Sequence, residues 1–398
     1  MRTASIRPVR KEEGSMLKQP GSTKALNREE FNRIKEALKY RKKAGAESAG
    51  GYAPLDLGLF LTPRCNLRCR HCFEWNEDGF LRNAERGRTD CELPLALIDQ
   101  CLDYTKEAGT RLYLWGGEPL LYSRFQELCD RLQKAKRWTT ICTNGLLIDR
   151  MLGDLRKIED HTVLLVSLDG LRECNDRMRG AGTFDRVVSN LCLLQEAKYH
   201  GEMSVCTVIG DELIGHLYEF CESMETLNIN SLYLSFPWYI SEDTAAKMDR
   251  EFERRFSDIL PFENNGSASW HHFTWHISED RMECLREEMK RINARTWNIR
   301  VRFQPAIEPG EIDDFIRGGE LPAQGSNKCL AVFNRMDILQ GGEVSACKLF
   351  REFTVGNLKE KSIQELWEGE TMTEIRRRMN CGLMPVCSKC VLLYLNGE

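Results

Sequence analysis

Three cysteines fall within eight residues, in the run Cys65-Asn66-Leu67-Arg68-Cys69-Arg70-His71-Cys72. Thiolates are the usual ligands of iron-sulfur clusters, and three of them are one ligand fewer than a four-iron cluster has irons. One iron would then stay open to a small molecule, and an open position marks chemistry rather than structural support. On the triplet alone, a zinc knuckle or three unrelated buried thiols remain alternatives. A second thiol set lies near the other end: Cys329, Cys347, and then Cys387 and Cys390 two residues apart. Four thiolates can complete a zinc site or a fully ligated cluster, with Cys381 as a spare. Between the two sets stands Trp115-Gly116-Gly117-Glu118-Pro119. Paired glycines let backbone approach a ligand, and the adjacent carboxylate can accept hydrogen bonds from an ammonium group. Ser167 and Asp169 are two apart and so share one face of a strand. Cys142 and Asn144 do the same, which points that thiol toward whatever site Asn144 lines, although a free cysteine is usually a small buried hydrophobe.

These residues need a frame. Past Gly51 the chain alternates short apolar runs with amphipathic stretches, as strand-helix-strand units of a parallel sheet do. Six strands are expected, near 55–62, 111–116, 139–143, 162–168, 203–209 and 231–236. Several are apolar on both faces, as in buried parallel strands. Helical faces are read at Ile98, Cys101, Leu102 and Thr105, and at Phe184, Val187, Val188 and Leu191. A closed eight-stranded barrel would need two more units, so the expected fold is α/β, a partial (β/α)6 barrel with its chemistry at the carboxyl edge of the strands. The candidate residues sit at that edge.

Composition is compatible with such a protein. The chain has 398 residues, 42% of them hydrophobic, and a formal net charge of -4. No export signal and no run long enough to cross a bilayer is visible, so a cytoplasmic protein with reduced or metal-bound thiols is expected in spite of its 17 cysteines, with no membrane or nucleic-acid partner. Residues 1–50 hold 13 Lys/Arg against 6 Asp/Glu. They are expected to form a mobile basic tail and then a helix opened by Asn27 and Glu30, with Phe31, Ile34 and Leu38 as its apolar stripe.

Taken together, the cysteine triplet and the Gly-Gly-Glu-Pro turn one helix later resemble the radical S-adenosylmethionine superfamily. That resemblance implies a 4Fe-4S cluster on Cys65, Cys69 and Cys72 whose open iron takes the methionyl amine and carboxylate of S-adenosylmethionine. It implies further that Gly116, Gly117 and Glu118 contact the amine, and that Ser167 and Asp169 contact ribose or carboxylate. Arg179, in the loop-like run Asn175 to Gly180, would match a carboxylate with its planar cation. Asn144, between Thr143 and Gly145, would help to line the site. His71 stands where the family usually has an aromatic residue against adenine. The C-terminal set, with Gly342, Gly356-Asn357-Leu358 and Ile363 to Trp367, resembles the extension called SPASM or its shortened form, twitch. The chain has Leu395, Asn396 and Gly397 where further ligands of a full SPASM domain would stand, so one auxiliary 4Fe-4S cluster on Cys329, Cys347, Cys387 and Cys390 is implied.

Four regions follow: 1–50, the barrel at 51–240, a helical and aromatic cap or bridge at 241–325, and the auxiliary domain at 326–398. In the third, Trp270-His271-His272-Phe273-Thr274-Trp275-His276 holds three histidines that could bind a metal, though bulky neighbours favour a packed cap over the barrel mouth, and Ile299-Arg300-Val301-Arg302-Phe303 is strand-like. The expected activity is oxidation by hydrogen-atom abstraction with the auxiliary cluster as electron acceptor, fed by a reductant such as flavodoxin or ferredoxin. A side chain of a peptide or protein is the leading substrate, and a small sugar-like or aminocyclitol metabolite is the alternative. A zinc module without turnover is the remote third, and it would have no use for Glu118.

Overall fold

The computed structural model describes residues 52–82, 90–307, 312–318 and 328–396. The expected N-terminal helix falls outside the described residues. All six expected strands form: β1 (Asp56–Phe60), β2 (Arg111–Trp115), β3 (Thr139–Thr143), β4 (Thr162–Ser167), β5 (Glu202–Val208) and β6 (Ser231–Ser235). Each pairs in parallel with the next. The sheet then continues on both sides. β7 (Arg300–Gln304) pairs in parallel with β6, and β8 (Arg335–Ile338) pairs in parallel with β1. Antiparallel β9 (Glu343–Ser345) and β10 (Thr354–Asn357) extend that edge, so the order is β10-β9-β8-β1-β2-β3-β4-β5-β6-β7.

The segment read as a cap therefore contributes a barrel strand, and the C-terminal unit is hydrogen-bonded into the same sheet. Both strands have polar sequences for a reason. β7 is an edge strand with Arg300 and Arg302 exposed. β8 buries Arg335 and Asp337 as a pair, with the guanidinium Nε and Nη2 each donating to the carboxylate at 2.7 Å. Gly58 on β1 lies against that pair, and a Cβ there would collide with the Asp337 carboxylate. The absence of a side chain at Gly58 is what lets β8 dock.

Within the barrel the strands alternate in character. Leu112 and Leu114, Ile141, and Leu164 and Val166 are buried, and the helices that follow each strand cover them with Ile98, Leu128, Leu155 and Leu191, among others. The intervening residues Tyr113, Cys142, Ser167 and Cys206 face the concave side, where they line a cavity. The strands are thus two-faced rather than apolar on both faces. The inner face is aromatic, thiol and hydroxyl because it bounds a site and not a filled core.

Candidate active site

The cysteine loop leaves the end of β1 and rests on the turn that ends β2. Gly117 N donates to Thr62 O at 2.9 Å, and Glu118 N donates to Arg64 O at 2.8 Å. A Cβ on Gly117 would meet the carbonyls of Pro63 and Arg64, and one on Gly116, whose φ is 138°, would meet that of Thr62. The paired glycines therefore let two backbone segments touch, and they also face the cavity. Cys65, Cys69 and Cys72 all line that cavity. Burial pushes the Cys65 thiol up to about 12 and raises Cys69 and Cys72 as well. Thiolates in this setting need a cation to hold them, which a cluster provides.

Glu118 differs from its expected role. Its carboxylate is fully buried and already accepts from Thr143 Oγ1 at 2.6 Å, Asn144 N at 2.7 Å and Leu120 N at 3.0 Å. It clamps the turn to the end of β3, and it is Gly116 and Gly117, not this carboxylate, that line the cavity. The same clamp places Asn144, whose Nδ2 reaches Asn66 Oδ1 in the cysteine loop at 2.7 Å. Burial raises the Glu118 carboxyl, and its three donors pull the other way.

Asp169 is likewise a bracket, while Ser167 lines the cavity. Asp169 Oδ2 lies 2.7 Å from His71 Nε2 and 2.6 Å from Arg179 Nε, and Oδ1 accepts from Val208 N at 2.8 Å. Burial would push this carboxyl up, yet Arg179 and His71 hold it well below the usual carboxylate range. Arg179 does not sit in a solvated loop. It ends the helix Arg172–Arg179, is buried, and brings Nη1 to 3.8 Å from Cys69 Sγ. The carboxylate it pairs with is the protein's own, which leaves the rest of the guanidinium on the cavity wall. His71 is edge-on to Trp275, with centroids 6.3 Å apart.

The four C-terminal thiols share one electrostatic neighbourhood. Cys329 is within electrostatic reach of Cys387 and Cys390, and Cys347 is within reach of the same two. Backbone N–H groups two or three residues downstream aim at Cys329, Cys347 and Cys390, and likewise at Cys65 and Cys72. Such N–H···S contacts favour thiolate and tune cluster potentials. Cys381 is exposed and bonds to Arg377 O at 3.6 Å, apart from this set. The three histidines of the aromatic run part ways: His271 bonds to Asp249, His272 to the Asp78 carbonyl, and His276 packs on Tyr239. Among the described residues no three Cys, His, Asp or Glu side chains converge on a single-ion site.

One cavity of about 470 Å3 joins the two ends, reaching from the cysteine triplet to Lys348, Leu349, Val391 and Leu392 beside the C-terminal thiols. The aromatic run does form its roof, where Phe273 stacks on Phe73 at 4.7 Å. Residues 59–224 match the radical SAM superfamily, and residues 329–391 match an iron-sulfur cluster-binding domain of the SPASM family. The chain belongs to the radical SAM superfamily.

This radical SAM enzyme is 26% identical over 348 residues to the Fe-coproporphyrin III synthase of Methanosarcina barkeri, spanning 80% of this chain and 75% of that one. It is 30% identical over 169 residues to the mycofactocin maturase MftC of Mycobacterium tuberculosis, which is 42% of this chain and 41% of the maturase. The fold matches that of Streptococcus suis SuiB with a TM-score of 0.56 at 19% identity, covering 92% of this chain and 77% of SuiB. The donor set of the radical SAM enzyme suits its cofactors: all-thiol sites, buried, with backbone N–H groups aimed at sulfur. Sequence reasoning passed over Glu74, Tyr113, Trp238 and Lys348 in the cavity. A place two residues after Cys72, an alternating place on β2 and a place directly after Cys347 are the signals that could have found the first, second and last.

Proposed function

We propose that this enzyme is an oxidoreductase that modifies a side chain of a peptide or protein. In this reading Cys65, Cys69 and Cys72 hold the cluster that binds S-adenosylmethionine, and Cys329, Cys347, Cys387 and Cys390 hold one auxiliary 4Fe-4S cluster. The observation that carries it is one cavity with the first thiol set in its wall and, at its other end, Lys348 and Val391, the neighbours in sequence of Cys347 and Cys390; a substrate there would have hydrogen-atom removal at one end and an electron acceptor behind the other. When bound and reduced, the cofactors supply a 5'-deoxyadenosyl radical that takes a hydrogen atom from the substrate.

The chain's own part is orientation and exclusion. Asp169 locks His71 and Arg179 onto the cysteine loop, Glu118 fixes the Gly116-Gly117 backbone, and Asn144 holds Asn66. Phe73, Phe273, Trp238 and Trp275 close the cavity with aromatic surface and keep water from a reactive substrate radical. An electron-transfer protein of the flavodoxin or ferredoxin class supplies the electron. The maturase likeness, and a SuiB structure of the same fold solved with a precursor peptide, support the peptide reading. A second reading is favoured by the Methanosarcina synthase, matched along most of its length: a porphyrin-type small molecule takes the peptide's place. Nothing in the cavity singles out the sugar-like metabolite.

Iron and sulfide counted after anaerobic reconstitution test the two-cluster assignment. About eight irons per chain are expected, falling to about four when Cys65, Cys69 and Cys72 are all replaced by alanine. About four irons in both proteins, or zinc in their place, would overturn it.

A further inference from the structure

Lys348 follows Cys347 directly and lines the cavity on the wall nearest the auxiliary thiols. Its Nζ lies 4.5 Å from the centre of the Tyr113 ring and 5.8 Å from that of Trp238. Among the described residues it has no ion pair. Asp337, the carboxylate that acts on it, is held through both oxygens by Arg335 at 2.7 Å. The acid in the cavity wall, Glu74, belongs to the cysteine loop, where it faces Cys65 and Cys72 and has Arg351 as its counter-charge. The fold therefore brings the Lys348 amine to a substrate cavity between aromatic faces, with the thiols of Cys142 and Cys390 as its other electrostatic neighbours and, among the described residues, no carboxylate paired to it.

We propose that the substrate carries a carboxylate and that Lys348 binds it, setting the substrate at the auxiliary end of the cavity. This rests on the oxidoreductase reading above and narrows its substrate class. A carboxylate suits the site better than a phosphate, which calls for several cations or a nest of backbone N–H groups, whereas here Arg335 is already spent on Asp337. Tyr113 and Trp238 flank the ammonium on its open sides, so the group next to the carboxylate is apolar or aromatic. Glu74, whose Oε1 is buried with no hydrogen-bond partner, offers an acceptor for a donor elsewhere on the same substrate.

The test uses the anaerobically reconstituted full chain with S-adenosylmethionine and two matched probe sets: N-acetyl dipeptides as free acids or as amides, and small aryl-alkanoic acids with their amides. Two quantities are read, the 5'-deoxyadenosine released and the EPR spectrum of the reduced auxiliary cluster. Free acids are expected to exceed amides by about tenfold or more in stimulating cleavage, and to alter the auxiliary spectrum. Lys348→Met should abolish both effects, and Lys348→Arg should keep part of them. If only the non-peptide acids act, the carboxylate stands and the peptide reading falls. Acids and amides acting alike, or neither set acting, would overturn the proposal. It would also fall if Lys348→Met kept the acid preference and only shifted the auxiliary midpoint potential, because Lys348 would then be a counter-charge to the cluster alone.

Discussion

Glu118 and Asp169 are the two carboxylates on which the site turns, and the structure gives both a bracing role. Removing Glu118 would strand three donors that its oxygens now satisfy, two of them backbone N–H groups. Glu118→Ala should cost about 3 kcal/mol of stability and weaken S-adenosylmethionine binding together, as urea denaturation and equilibrium dialysis would show. A loss of binding at full stability would mean that Glu118 touches the ligand directly. Asp169 allows a pH test. Its carboxyl is depressed in the fold, so its contribution is complete above the unfolded value of about 4 and is lost as the pH falls through the folded one. The stability gap between wild type and Asp169→Asn should be flat from neutral pH to about 5 and shrink below about 4, measured by thermal melts of the holoprotein. A gap that widened toward acid would contradict the bracket. Residue types and spacing pointed to both carboxylates, but not to their partners. Whether an acid meets a ligand or a neighbouring N–H depends on where the next strand ends.

At the scale of elements, six strands were legible because each has apolar residues on at least one face and a turn after it. β7 was legible only as a strand-like run from Ile299 to Phe303, outside the six units, because it is an edge strand with two exposed arginines; β8 was not legible, being four residues long with an arginine and an aspartate buried together. Burial of such a pair is a tertiary event that no period in the sequence announces. Gly58 is where it can be probed. Gly58→Ala should cost about 1–3 kcal/mol by forcing the Asp337 carboxylate aside, lowering the midpoint of thermal unfolding by several degrees. An unchanged midpoint would mean that β8 does not dock as described. Residues 172–179 make a related point. Their polar run reads as a loop, yet they form a helix because Asn175 and Asp176 bond to Asp169 N, Thr183 and Phe184 N, tying the helix at both ends.

For the molecule as a whole, the pairing of β8 with β1 makes the auxiliary unit part of the barrel sheet. A chain ending before Lys328 would expose β1 as an unpaired parallel edge and open the cavity wall that carries Lys348. Such a truncation should be recovered as aggregate rather than as a free-standing barrel, as size-exclusion chromatography of the expressed fragment would show. A monomeric, soluble fragment that still bound S-adenosylmethionine would show the two units to be separable. Among the described residues no helix is long and apolar enough to cross a membrane.

The family was decided by the sequence alone, since thiol spacing and a Gly-Gly-Glu-Pro turn are local chemistry that survives any amount of surface change. So was the parallel α/β frame, because alternating strand and helix periods leave few other ways to bury apolar faces. Only the tertiary structure decided that the C-terminal unit shares the barrel's sheet, that Glu118 and Asp169 brace rather than reach, and that Lys348 faces the cavity without a paired carboxylate. Those facts depend on which residues meet across long separations in the chain, and spacing along the chain carries no record of such meetings.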